Sequence, residues 1–376
     1  MILTIIIFLV VLSLLVFVHE FGHFYSARKL GVRAEEFGFG FPPRIFGVYK
    51  NKEGKWKRIW GRKDPDDSQD TIYSINAVPL GGFVKIKGQD GDNKDPDSFA
   101  NKKPWRRAII LSSGVIMNVL LASVLISIGL MIGFPQAIDD SLPKSAIVVD
   151  EKVQVMEVME NSPAAEAGLR AADIILSIND ETVKNEADLS RLIGQSQEEN
   201  LALSVQRDNN VLDLELNTMI NPENGQKIIG IAFYETALVR YPWYQALWQG
   251  FKLSFELLGA IFYALYDIVR GLIVGSPTQV EVAGPVGIAN LTGQMARMGF
   301  VYLLQFTALL SLNLAVINIL PFPALDGGRL LFLLFEKIKG RALKPQFEII
   351  FHNIGFLLLI ALVIWITFKD VLRIFQ

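Results

Sequence analysis

The chain has no cysteine and only three histidines. The first absence excludes disulfides, thiolate metal ligands and a cysteine nucleophile. The second gives weight to position, because two of the three histidines share one pentapeptide, His19-Glu20-Phe21-Gly22-His23. Charge is also scarce. Charged residues are 20% of the 376, the net charge is −2 and the pI is near 6.0, so no nucleic-acid partner is expected. With 51% hydrophobic residues and a mean hydropathy of +0.35, the composition is too apolar for an ordinary soluble enzyme and too charged for membrane spans alone. It fits an integral membrane protein with water-exposed parts.

Met1 to Val18 holds no charged side chain. It lacks the basic start and small-residue cleavage site of a signal peptide, so it reads as a retained span. Continued as a helix through residue 30, it puts His19 and His23 one turn apart on one face, where two imidazoles can hold one zinc ion. Glu20 lies beside the pair and can take a proton from water and pass it to a leaving amine. The bland alternative is a helix end emerging into water with two solvated histidines. Against it, ionisable residues at the edge of a span are costly and functional by default.

Residues 31–104 read as a membrane-associated β region of short strands, Val32–Phe39, Ile45–Lys50, Trp56–Trp60, Thr71–Ile75 and Phe83–Lys87. Asn51 to Gly54 is a hairpin turn, and 64–70 and 89–97 are polar loops. Gly81-Gly82-Phe83 marks either an edge strand that receives an extended peptide or a plain bulge, and the bulge is favoured on these residues alone. A second span covers 105–134. Asn118 within it is polar at membrane depth and is expected to hydrogen-bond other helices in a structural role.

Residues 146–220 are soluble in character, with Asn209-Asn210 turning a hairpin. The run from Ser162 to Leu169 followed by 172–180 resembles a PDZ domain of the bacterial protease type. Asp150 and Glu151 fall near the expected carboxylate-binding loop, so a docking or filtering role is favoured over capture of a free C-terminus. In 241–275, Gln245, Gln249, Lys252, Glu256, Tyr263, Asp267 and Arg270 share one helical stripe, which suits an amphipathic helix in the membrane interface. Residues 299–328 form a third membrane segment that ends in Asn318-Ile319-Leu320-Pro321-Phe322-Pro323-Ala324-Leu325-Asp326-Gly327-Gly328. The fourth span is 346–372. The expected fold is thus a polytopic α-helical membrane protein with about four spans, a cytoplasmic β region and one inserted extracytoplasmic PDZ-like domain. Arg28 to Arg107 carries 18 Lys and Arg, which places that region on the cytoplasmic side. Asp326 then reaches the depth of the histidines only if 241–275 does not cross the bilayer.

A hydrolytic zinc has three protein ligands and an open position. Asp326, His352 and Glu336 compete for the third place. Asp326 is favoured because prolines and glycines distort its segment at the right end of a span. His352 reads as a packed or interfacial residue, and Glu336 as part of a solvated loop with Lys337 and Lys339.

HEFGH in the first span, GGFVKIKG in the β region, the PDZ-like insert and NILPFPALDGG late in the chain occur together and in order. In that combination the chain resembles the bacterial branch of the site-two protease family of intramembrane zinc metalloproteases. The resemblance implies Glu20 as general base and His19, His23 and Asp326 as Zn2+ ligands. It implies that Gly81, Gly82 and Phe83 pair with an unwound substrate, and that Asn313 and Asn318 help hold it. It also implies regulated cleavage of single-span membrane proteins, such as anti-sigma factors or signal-peptide remnants, in the bacterial inner membrane, with the lipid bilayer as surroundings. Members with two tandem PDZ domains differ from this chain, which has room for one. The competing readings are a catalytically inactive scaffold of the same fold that binds partners through the PDZ-like domain, and a transporter or channel. No inverted repeat and no second set of membrane acids supports the latter.

Overall fold

The computed structural model describes residues 2–65, 68, 70–89, 95–137, 146–159, 161–196, 200–207, 210–220, 225–275, 283–340 and 345–374. Parts of both expected polar loops and Asn209 lie outside them. Two compact units form. One comprises Met1–Ile126, Gly250–Arg297 and Leu303–Gln376, and the other Ser127–Gln249 with Met298–Tyr302.

Helix α1 (Ile2–Lys29) leads into β1 (Ala34–Lys50), β2 (Trp56–Trp60), β3 (Ile72–Ile86) and helix α2 (Pro104–Ile132). Four of the short strands expected from sequence join into two long bent ones. β1 continues through Gly40 and Pro42-Pro43, and β3 through Pro79 and Gly81, because the register breaks there without ending the pairing. Residues 34–39 of β1 consequently pair on one side with 72–75 and on the other with 82–86. The segment 82–86 is an outer edge, and among the described residues no strand pairs with its far side. Buried Arg44 ties the bends together, donating to Glu36 and Asp64 at 3.0 Å each and to the carbonyls of Gly61 and Lys63. The Asn51 turn closes as expected, with Gly54 at positive φ.

The second unit is a β-sheet domain. Its elements are β4 (Phe134–Ala137), β5 (Ile147–Val158), α3 (Pro163–Glu166), β6 (Ile174–Ile178), β7 (Glu181–Thr182), α4 (Glu186–Gln195), β8 (Asn200–Arg207) and β9 (Asn210–Asn217). The small pair β10 (Met219–Ile220) and β11 (Lys227–Ile228) follows, then β12 (Ile231–Arg240). The main sheet runs β4-β12-β5-β6-β8-β9, with β7 on β6. The domain therefore extends past 220, because β12 pairs with β5 on the side away from β6. Asp150 and Glu151 lie inside β5 rather than in a loop. Val153, Val155, Ile175, Leu189, Leu201, Leu203 and Val205 fill the core, each worth about 1.5–3 kcal/mol of apolar burial. Asp173, 1% exposed, accepts two bonds from Arg207 (2.8 and 2.7 Å) and one from the Arg170 amide (2.8 Å).

The remaining helices are α5 (Trp243–Val274), α6 (Pro285–Met298), α7 (Phe300–Ile319), α8 (Asp326–Lys339) and α9 (Pro345–Ile374). Among the described residues, four helices are long and apolar enough to cross a membrane: α1, α2, α7 and Gln346–Leu372 of α9. Only 6% of the apolar window of α9 is buried within the protein, a surface that water would penalise at about 25 cal/mol per Å². The 32-residue α5 is not among the four, and Lys252 and Glu256 pair on its polar stripe at 3.5 Å.

Breaking a buried ion pair from one side leaves the other charge unpaired, at about 3–5 kcal/mol. Asp173→Ala is therefore expected to lower the temperature at which trypsin cleaves 147–217 in the full-length protein. An unchanged cleavage temperature would remove Arg207–Asp173 as the lock of this domain.

Candidate metal centre

A helix brings residues i and i+4 to one face, so α1 sets His19 and His23 side by side, ring centroids 4.8 Å apart. Both are buried, and Asp326 completes the group from the first turn of α8. His19 Nε2, His23 Nε2 and Asp326 Oδ2 form a triangle with sides of 3.1, 3.1 and 3.2 Å. Donors around a tetrahedral zinc with bonds of about 2.0–2.1 Å stand about 3.3 Å apart, so the residues fit that ion. The donor chemistry agrees. His23 Nδ1 donates to the Ile110 carbonyl at 2.8 Å, which leaves a lone pair on its Nε2. That lone pair, a second ring nitrogen and a carboxylate oxygen then converge, and a cation relieves their repulsion.

Two glycines make the approach possible. A methyl group on Gly114 of α2 would stand 2.4 Å from His23 Nε2 and 2.7 Å from His19 Nε2. A methyl group on Gly82 of β3 would stand 2.9 Å from the Phe17 Cα and 3.3 Å from the Glu20 Cβ. The edge segment of β3 thereby lies against α1 next to Glu20, whose carboxylate takes a hydrogen bond from the Val84 amide. Ser13 fastens the same contact one turn earlier, donating to the Pro79 carbonyl and accepting from the Gly81 amide, both at 3.2 Å.

Asp326 is placed by a tight turn. The two prolines end α7, Ala324 takes a left-handed φ of +74°, and His352 Nδ1 accepts the Ala324 N–H at 2.8 Å. Of the rival third ligands, His352 thus supports the turn that carries Asp326. Glu336 lies on α8 and pairs with Arg107 at 2.8 Å, both side chains mostly buried, where a solvated loop was expected.

A cavity of about 260 Å³ opens on the group, lined by His19, Glu20, His23, Val84, Asn318 and Asp326 among others. Asn318 therefore faces the site. Asn313 does not line it, and its amide donates to the Leu309 carbonyl of its own helix at 2.9 Å. Gly81 and Gly82 are buried against α1, and Phe83 is half-buried. Sequence reasoning gave no role to Ser13 or to Gly114, which lies with Asn118 inside the second span. Their signal was a hydroxyl in an apolar run and a missing side chain one helix away from the histidines.

The sequence matches Peptidase family M50 over residues 7–60 and 57–362. It is 33% identical to a Clostridium perfringens protein provisionally named a zinc metalloprotease, over 97% of each chain. It is 28% identical to the Bacillus subtilis Regulator of sigma-W protease RasP and 28% identical to the Bacillus licheniformis Zinc metalloprotease RasP, in each case over 99% of both chains. A PDZ domain of an SdrC-like protein from Listeria monocytogenes matches 23% of this chain and 90% of its own, at 22% identity and a TM-score of 0.21. The chain belongs to peptidase family M50, the site-two protease family, and is an intramembrane zinc metalloprotease.

Proposed function

We propose that the enzyme cleaves peptide bonds inside the membrane segments of single-span proteins, at a zinc ion held by His19, His23 and Asp326. The observation that carries this is the triangle of three donors with Glu20 and the edge strand residues Val84 and Ile86 on the same cavity. When bound, zinc supplies Lewis acidity to the scissile carbonyl and makes water easier to deprotonate. Glu20 takes the proton from the attacking water and returns it to the leaving amine.

The chemistry sets the form of the substrate. A helix ties up its carbonyls in its own backbone hydrogen bonds, out of reach of attack. A membrane helix therefore unwinds to reach the centre, which exposes backbone groups that lipid cannot satisfy. The edge 82–86 offers replacement partners as an added strand would use them. Asn318 presents an amide to the same space. For Asn313, the bond to Leu309 favours a role within α7.

The same reading gives the protein a multi-pass place in a bacterial inner membrane, with the lipid bilayer around it. The basic segment 28–107 favours the cytoplasmic side for the β region and the centre, and the extracytoplasmic side for the PDZ-like domain. That domain filters or docks substrates. Anti-sigma factors or signal-peptide remnants are the proposed substrates, in regulated intramembrane proteolysis, and the name of the Bacillus subtilis relative is consistent with the former.

The reading is tested with purified protein and a model single-span substrate. Glu20→Gln is expected to retain zinc and to lose about 10²–10⁴-fold in cleavage, the usual worth of a positioned base. Asp326→Asn is expected to lower zinc content as well. Cleavage by Glu20→Gln at the wild-type rate would falsify the assignment. The strand edge has its own measurement. Val84→Pro removes the amide that faces Glu20 and should cut cleavage of a membrane substrate at least tenfold with zinc content unchanged. Equal cleavage would show that substrate does not pair with 82–86.

A further inference from the structure

Each histidine of the centre turns its second ring nitrogen toward α2. His23 meets the Ile110 carbonyl, which can only accept, so its tautomer is fixed. His19 meets the side-chain amide of Asn118, 3.3 Å from its Nδ1. An amide has a donor end and an acceptor end, exchanged by a half-turn about its last bond. With Nδ2 toward the ring, Nδ1 accepts, the ring proton sits on Nε2, and His19 cannot bind a metal. With Oδ1 toward the ring, Nδ1–H donates and Nε2 carries the lone pair.

Among the described residues, nothing else holds the amide to the first arrangement. Asn118 is 0% exposed, and with Nδ2 on His19 its Oδ1 is buried with no partner among the described residues. The far end of the ring decides. His19 Nε2 stands 3.1 Å from the His23 nitrogen and 3.1 Å from the Asp326 oxygen, at the place where the three donors share an ion. A proton there competes with the ion. α2 is built for this use. Ile110, Gly114 and Asn118 recur every four residues on one stripe, so one turn receives the rings and the turns either side supply an acceptor to each. Ser311 of α7 donates to the Asn118 carbonyl at 2.8 Å and pins this turn of α2 in place.

We infer that Asn118 is a positioning residue that accepts from His19 Nδ1–H and so holds His19 in its metal-binding tautomer. This rests on the zinc reading of His19, His23 and Asp326. It differs from a general role in helix packing, which requires polarity at this depth but no particular direction of the hydrogen bond.

The experiment compares wild type, Asn118→Leu and Asn118→Asp as full-length protein in detergent. Zinc is measured per chain, and its loss is followed against a competing chelator. Leu keeps the volume and removes the acceptor, and it should weaken zinc binding about 10–100-fold, the usual cost of losing such an outer partner. Asp only accepts, so it should hold zinc at least as tightly as wild type. A packing role that uses the amide as donor predicts the reverse order, with Asp damaged more than Leu, and that result overturns the inference. So does a Leu variant that holds zinc as wild type does. Should Leu fail to elute as a single species, Asp against wild type carries the comparison, and weakened zinc in Asp counts against the proposal. A wild-type protein without zinc affinity fails earlier, at the metal reading itself.

Discussion

Two imidazoles lie directly on the backbone of α2 at Gly114, where no side chain could stand between them and the helix. The rest of the centre depends on that contact. It brings the Ile110 carbonyl within 2.8 Å of one ring and the Asn118 amide within 3.3 Å of the other. It also sets the depth at which Asp326 must arrive. Gly22, inside the motif itself, answers from the other helix, since a methyl group there would stand 2.4 Å from the Ser113 carbonyl. Two spans packed through small residues approach more closely than apolar side chains permit. Here that closeness serves the two histidines as much as the fold.

A second constraint is the accounting of backbone hydrogen bonds where water is absent. Helices satisfy their own, but a strand edge does not. The protein nevertheless places the edge 82–86 against α1. It does so with local compensation: Ser13 serves both the Pro79 carbonyl and the Gly81 amide, and Glu20 takes the Val84 amide. On the proposed function, this edge beside Glu20 would offer an unwound chain the bonds it has lost, so that the cost of unwinding in lipid and the gain from strand addition would be met at one place.

The spacing of His19 and His23, the apolar spans and the Pro- and Gly-rich approach to Asp326 were legible from sequence because each is a local pattern. The helical stripe on 241–275 was legible for the same reason, and Lys252 and Glu256 of that stripe pair on α5. What stayed hidden was non-local. β12 pairs with β5 across some seventy residues, so the domain that looked finished at 220 continues to Arg240. Two long bent strands looked like four short ones, because prolines and glycines that usually end a strand here only bend it. Glu336 sat among lysines in the sequence, yet its partner is Arg107, 229 residues away. Asn313 and Asn318 looked equivalent, and only the helix geometry separates the one that faces the cavity from the one bonded to its own turn.

Polar residues inside apolar helices show why such positions resist assignment from sequence. Every one of them needs a hydrogen bond at membrane depth, so a structural and a functional residue look alike. The partner makes the difference. The last helix, α9, reads as a plain span, yet His352 accepts the Ala324 amide in the turn before Asp326. One further polar group on α9, Asp370, accepts the amides of Gly284 and Gly287 where α6 begins, the end at which a helix favours negative charge. The helix that faces outward most completely thus anchors two irregular segments, and one of them delivers Asp326 to the two histidines. A span without any residue in the cavity can therefore govern the site, because the turn it fixes decides where Asp326 stands.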